Sequence, residues 1–195
     1  MTVTPTGLGR LSGVLADGTK INVSVPLSKH GTLPLYQALY KNQGATIGWV
    51  TFGTNSSLGA TVDWFRPPLP ATAYFPAGFT TNVTLLGEKY VSPTNGGPSI
   101  LGTNVVTLGG GNLVSNLMAT AVIGDTGNVT VLPPNAENLQ MKIQTKTGQF
   151  GGSFTHPVLG KTVSFNGLVL QVDGTGAGYF LGNNASGFVS FEPTP

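Results

Sequence analysis

Leu139-Gln-Met-Lys-Ile-Gln-Thr-Lys-Thr-Gly-Gln-Phe-Gly-Gly-Ser-Phe154 decides the fold. Leu139, Met141 and Ile143 alternate with Gln140, Lys142 and Gln144, the period of a half-buried strand and not of a helix. Lys146-Thr-Gly148 then supplies a turn, and Phe150 opens a second run. The alternation recurs at Ile21, Val23 and Val25, at Val83 with Leu85, at Val129 with Val131, and at Val163 with Phe165. Turn signals punctuate these runs at Asp17-Gly18, Asn95-Gly96-Gly97, Gly109-Gly110-Gly111, Asp125-Thr-Gly127 and Asp173-Gly174. About a dozen strands at such spacing read as an all-β chain, an antiparallel barrel or a two-sheet sandwich.

Working outward, the two ends of the chain resemble each other. Gly9, Leu11, Gly13, Tyr40, Gly48, Trp49 and Phe52 meet Gly148, Phe150, Gly152, Tyr179, Gly187, Phe188 and Phe191, all at one offset of 139 residues. Gly18-Thr-Lys-Ile-Asn-Val matches Gly160-Lys-Thr-Val-Ser-Phe, displaced by three residues. The match predicts an internally duplicated sheet, with units over residues 6–65 and 139–195 flanking a unique middle. A duplicated half-sheet can pair its edges with its twin, which favours barrel-like closure. Glycines kept beside large aromatics read as scaffold, and Trp49 shares that reading because its twin is Phe188.

Pro34-Leu-Tyr-Gln-Ala-Leu-Tyr-Lys pairs apolar residues at i,i+4 and could open a helix at Pro34. Its counterpart, Gly176-Ala-Gly-Tyr-Phe-Leu-Gly, carries three glycines that weaken any helix, so a strand is expected in both copies. Arg66-Pro-Pro-Leu-Pro-Ala-Thr-Ala reads as a crossover between two half-sheets, and Pro133-Pro134-Asn135 as a second break. Neither is a long polar linker, so residues 1–195 are expected to form one domain.

Charged residues make up 8% of the chain, against roughly 25% in an ordinary soluble domain. The net charge is +2 and only Arg10 and Arg66 are arginines, so no basic patch exists for nucleic acid. The absence of cysteine excludes disulfides, thiolate metal sites and a cysteine nucleophile. No apolar run approaches the ~20 residues of a membrane-spanning helix. Met1-Thr-Val-Thr-Pro-Thr lacks the pattern of a signal peptide. An uncharged, Thr/Asn-rich, cysteine-free β chain fits a secreted or cell-surface bacterial module, here expected to be a mature form or a fragment.

Several strings, taken in order, carry a family resemblance. They are Gly-Val-Leu-Ala-Asp-Gly-Thr (13 to 19), Pro-Leu-Ser-Lys (26 to 29), Leu-Pro-Leu-Tyr (33 to 36) and Gly-Trp-Val-Thr-Phe (48 to 52). Tyr-Phe-Pro-Ala-Gly-Phe (74 to 79), Lys-Thr-Gly-Gln-Phe-Gly-Gly-Ser-Phe (146 to 154) and Gly-Tyr-Phe-Leu-Gly (178 to 182) follow. Together they resemble an all-β module found near the C-termini of large multi-module secreted or surface proteins of environmental bacteria. The resemblance spans nearly the whole chain and brings no established activity or catalytic residues. Longer relatives usually carry a further β segment ahead of the matched region, which implies an open N-terminal sheet edge.

The acids are Asp17, Asp63, Asp125, Asp173, Glu88, Glu137 and Glu192. Glycoside hydrolysis needs two carboxylates across a cleft. Asp17, Asp125 and Asp173 sit in turn signals, where Asp caps the backbone. Asp63 lies in the strand-like Val62-Asp-Trp-Phe, and a solvated strand face is its simpler reading. His30 and His156 precede turn formers and read as exposed loop residues; two histidines alone do not make a metal site. No nucleophile elbow, His-Glu-x-x-His or P-loop occurs, and Asp173-Gly-Thr-Gly-Ala-Gly lacks the helix and Lys-Ser/Thr of a phosphate loop. Five Asn-x-Ser/Thr sequons, at Asn22, Asn55, Asn82, Asn128 and Asn184, matter only in a eukaryotic secretory route. Nothing calls for a cofactor or a metal.

One segment has a binding flavour. Around its prolines, residues 63–79 gather Trp64, Phe65, Tyr74, Phe75 and Phe79 beside Arg66. Aromatic faces could stack on sugars, with Asp63 or Arg66 hydrogen-bonding hydroxyls, so Trp64, Arg66, Tyr74 and Asp63 are the candidate ligand-binding residues. The competing reading is that these rings plug a barrel end or cover a sheet edge. Three functions follow in order: a non-catalytic extracellular β module with a structural or adhesive role, a carbohydrate-binding module, and a hydrolase using Asp63 with another carboxylate. Expected partners are glycans or other surface proteins, with no nucleic acid and no membrane insertion. Self-association through open sheet edges, Thr2 to Pro5 and Phe188 to Pro195, is a further expectation.

Overall fold

The structure is a computed structural model and describes residues 1–53, 57–95 and 100–194. Asn55 and the turn signal beyond Asn95 lie outside the described residues. Among those described there are fifteen strands, one 3-10 turn (Pro93–Asn95) and no α-helix. The all-β, antiparallel reading holds. The chain divides into two compact units, Met1–Lys89 and Tyr90–Pro195.

In the first unit, β1 (Thr2–Val3), β2 (Leu8–Val14) and β3 (Lys20–Pro26) form a three-stranded sheet. Next come β4 (Thr32–Leu39), β5 (Gly44–Phe52), β6 (Ser57–Arg66) and β7 (Phe79–Glu88), a four-stranded sheet in sequence order. Buried Val23 of the first sheet meets Leu33, Leu35, Val50 and Val62 of the second in one core. The i,i+4 segment is a strand, as expected: Leu33, Leu35 and Leu39 point inward while Tyr36 points out. Pro34 is tolerated there because β4 is an edge strand, where one missing N–H disrupts no ladder. Residues 67–78 do not cross between half-sheets; they join β6 to its hydrogen-bonded neighbour β7.

The second unit contains β8 (Gly102–Gly110), β9 (Leu117–Ile123), β10 (Val129–Val131), β11 (Gln140–Gln144), β12 (Gln149–His156), β13 (Lys161–Leu170), β14 (Thr175–Leu181) and β15 (Ser186–Pro193). They form one antiparallel sheet in the order β10-β9-β8-β15-β14-β13-β12-β11. Its ends nearly meet. Asn128 bridges Lys142, and Ile143 N donates to Gly127 O at 2.9 Å. The barrel-like closure therefore lies inside this unit, between a strand of the unique middle and the first strand of the second copy. Phe150, Phe154, Phe165, Phe180 and Phe191 fill it, with Phe154–Phe180 centroids 5.1 Å apart and Phe150–Phe191 5.3 Å.

The internal match has a structural counterpart. Strands β2 to β5 correspond to β12 to β15, and the first hairpin of each set turns at a positive-φ glycine, Gly18 or Gly160. The sets differ in the middle. β13 and β14 share a ladder from Phe165 to Leu170, whereas β3 and β4 belong to separate sheets.

Three expectations are corrected. The stretch from Phe188 is no open edge, because β15 is paired with β14 on one side and β8 on the other. Thr2–Val3, in contrast, is an edge, paired with β2 alone. His156 is fully buried, not exposed. It ends β12 on the face of Phe150 and Phe154, with Nε2 3.0 Å from Gly111 O and Leu159 N donating to Nδ1 at 3.4 Å. Trp49 is 61% exposed and outside the core, because alternation along β5 buries Thr46 and Val50 instead.

Candidate functional site

Alternation along β6 sorts the sequence candidates. With Val62 inward, Trp64 and Arg66 must follow it into the protein, while Asp63 and Phe65 face out. Arg66 is 4% exposed and Trp64 7%. A buried guanidinium needs a counter-charge and acceptors for its donors, and it has them. Its Nη1 donates to Asp17 Oδ2 at 2.6 Å; Nη2 donates to Tyr74 O at 2.7 Å and Thr72 Oγ1 at 3.0 Å. Nε donates to Phe75 O at 3.4 Å, and Cζ lies 4.6 Å from the Tyr40 ring centroid.

The same carboxylate organises its neighbours. Tyr40 Oη donates to Asp17 Oδ2 at 2.6 Å, and Trp64 Nε1 donates to Tyr40 Oη at 3.0 Å. Thr19 N donates to Asp17 Oδ1 at 2.9 Å, the turn-capping bond expected of this residue. Burial, then the hydrogen bond to Asp17, raise the Tyr40 phenol above its ordinary value of 10.0. Trp64 meets Phe79 edge-on at 4.7 Å, and Phe79 meets Phe75 at 5.1 Å. This constellation ties the β2–β3 turn, the residue after β4 and the 67–78 segment to the end of β6.

Of the four candidate ligand residues, then, Trp64 and Arg66 have no face to offer a ligand. Tyr74 contributes its carbonyl to Arg66 and is half-buried. Asp63 stands apart on the outer face of β6, accepting from Asn82 Nδ2 on β7. Trp64, Phe79 and Phe75 pack edge to face on one another, whereas Phe65 lies 46% exposed on the outer face of β6.

Asp125 and Asp173 lie exposed in turns. Among the described residues no group of three or more His, Asp or Glu is placed to hold a metal ion. A shallow hollow of about 600 Å³ opens between the β2–β3 hairpin and β4, lined by Ser12, Val14, Lys20, Ile21, Asn22 and Gln37 together with Gly13. No carboxylate or imidazole lines it. No helix among the described residues is long and apolar enough to cross a membrane.

What sequence reasoning missed is the outer face of the β4–β7 sheet. Tyr36 is 60% exposed, Trp49 61%, Ile47 52% and Phe65 46%. Register places Tyr36 opposite Ile47, and Ile47 opposite Asp63. Carrying the period-2 pattern from Leu35 and Val50 would have found Tyr36 and Trp49 on that face. The architecture defines a duplicated antiparallel β protein with one sandwich-like and one barrel-like unit. No family model matches the chain, and neither a curated protein nor a solved structure matches it.

Proposed function

We propose that this chain is a non-catalytic β module of a secreted or cell-surface bacterial protein, with an adhesive or structural role. The observation that carries the reading is the fate of the reactive residues. Asp17 and Arg66, buried acid and base, neutralise each other, and every guanidinium nitrogen and both carboxylate oxygens have a partner within the fold. Such a pair ties together the loops that bear it, and with both side chains out of solvent it presents no exposed charge to a substrate. The hollow beside β4 contains no acid–base pair, whereas hydrolysis of glycosides requires two carboxylates flanking the bond. Low charge and a rigid, sheet-built frame suit a part that holds or is held.

The test incubates the protein with a panel of soluble and insoluble polysaccharides and with esters and peptides, and follows product release alongside surface retention. Retention without turnover is the expected result. Turnover that Asp63→Asn abolishes would overturn the reading in favour of a hydrolase.

A further inference from the structure

We infer that the outer face of the β4–β7 sheet is a glycan-binding platform for a neutral polysaccharide, with Trp49 and Tyr36 as its stacking residues. The inference rests on the adhesive reading above and gives it a ligand class and a site.

Three observations converge. The first is exposure against the usual economy of burial. Trp49 and Tyr36 sit on neighbouring strands, Tyr36 directly opposite Ile47 and hence diagonal to Trp49. Diagonal partners on one face stand roughly 7–8 Å apart, so the two rings form one contact surface. The second is the duplication. Phe188, the twin of Trp49, is likewise exposed at 46%, and it faces Tyr179 across the β14–β15 ladder. Both copies keep a partly exposed aromatic at the same place; Phe188 lies over Gly109 of β8, whereas Trp49, opposite Pro34, leaves more of its ring uncovered.

The third is charge. Of the outward positions on these four strands, only Asp63 and Glu88 are ionisable acids, and none is Lys or Arg. An anionic polymer would meet the Asp63 carboxylate and no lysine or arginine at these outward positions. A neutral pyranose chain fits. Its C–H faces lie on the electron-rich ring faces, and its hydroxyls meet a threonine- and asparagine-bearing rim. Asp63, held by Asn82, supplies acceptor oxygens beside Ile47. An extended polymer also suits an open sheet surface better than a small sugar does, since Trp49 and Tyr36 each leave well over half of their surface exposed.

The experiment is a pull-down with cellulose, chitin, mannan and xylan, with alginate as the acidic comparison, followed by titration against soluble oligomers of any polymer that retains the protein. Trp49→Ala and Tyr36→Ala are surface changes, checked for unchanged melting, and Val114→Ser is an exposed control remote in sequence from the platform. The expected result is retention on a neutral polymer and not on alginate, weakened at least about tenfold by Trp49→Ala, as for a truncated aromatic anchor, and untouched by Val114→Ser. Retention indifferent to Trp49→Ala and Tyr36→Ala, or retention on alginate alone, overturns the platform. Retention on none of the polymers also overturns it, yet leaves the adhesive reading standing if the protein still adheres to a protein-coated surface.

Discussion

Arg66 Nη1 lies 2.6 Å from Asp17 Oδ2, an ion pair with both side chains out of solvent that joins positions 49 residues apart. It binds the start of the 67–78 segment to the β2–β3 turn, so removing one partner strands a buried charge. Arg66→Met and Asp17→Asn should each cost about 3–5 kcal/mol. The double variant should cost much less than the sum. Denaturant unfolding of the three proteins checks this, and additive single losses below about 1 kcal/mol would mean an exposed pair.

Tyr40 shares the Asp17 carboxylate, and its phenol titrates above the ordinary value of 10.0, chiefly through burial. A raised folded-state pKa favours the neutral phenol in the folded protein. The stabilisation is fully present below the unfolded pKa near 10 and is lost as pH rises through the folded value. Melting temperature should therefore hold to about pH 10 and fall beyond it. In Tyr40→Phe it should be lower at neutral pH and fall less steeply in alkali. Tyr90, also raised by burial, retains a share of the alkaline loss.

The twinned glycines Gly13 and Gly152 should respond in opposite ways to alanine. A Cβ at Gly13 meets nothing within 4 Å, whereas at Gly152 it would strike Gln140 O and stand 2.6 Å from Phe165 Cζ. Gly13→Ala is expected to be neutral or to stabilise by up to about 1 kcal/mol through the unfolded chain. Gly152→Ala should destabilise by several times that, since overpacking displaces β11 or the Phe165 ring. Thermal unfolding of the two variants side by side decides the point.

Thr46 is 3% exposed and its Oγ1 has no hydrogen-bond partner. Thr46→Val keeps the β-branched shape and removes a desolvated hydroxyl. It should raise stability by about 1 kcal/mol, the lower end of the cost of an unpaired polar group. A loss measured by chemical denaturation would show that the hydroxyl is satisfied in solution.

Much of the fold was legible because period-2 alternation is local. Met141 and Ile143 point inward, and Gln140, Lys142 and Gln144 outward, as their spacing predicts. The same rule, started at Val62, places Trp64 and Arg66 inside; reading the aromatic cluster as a group concealed it. His156 was misplaced because Pro157 announced a loop, although the inward series of Phe150 and Phe154 runs on through it. Trp49 lies on a strand with apolar residues on both faces, Val50 inside and Ile47 outside, so β5 read by itself does not say which face is inward; the parity comes only once Val50 is known to be buried. The Asp17–Arg66 pair was beyond local reading, since only the closing of three loops brings its partners together.

The position of β15 governs the order in which the chain can fold during synthesis. Throughout the first unit each hydrogen-bonded strand pairs with its neighbour in sequence, so every hairpin can zip as it leaves the ribosome. In the second unit β8 and β9 emerge early, but the other flank of β8 is completed by β15, from Asn104–Pro193 to Gly110–Gly187. Until residue 193 is free, β8 presents a bare apolar-faced edge and waits. Nascent second units are therefore the species that need shelter from one another on crowded polysomes.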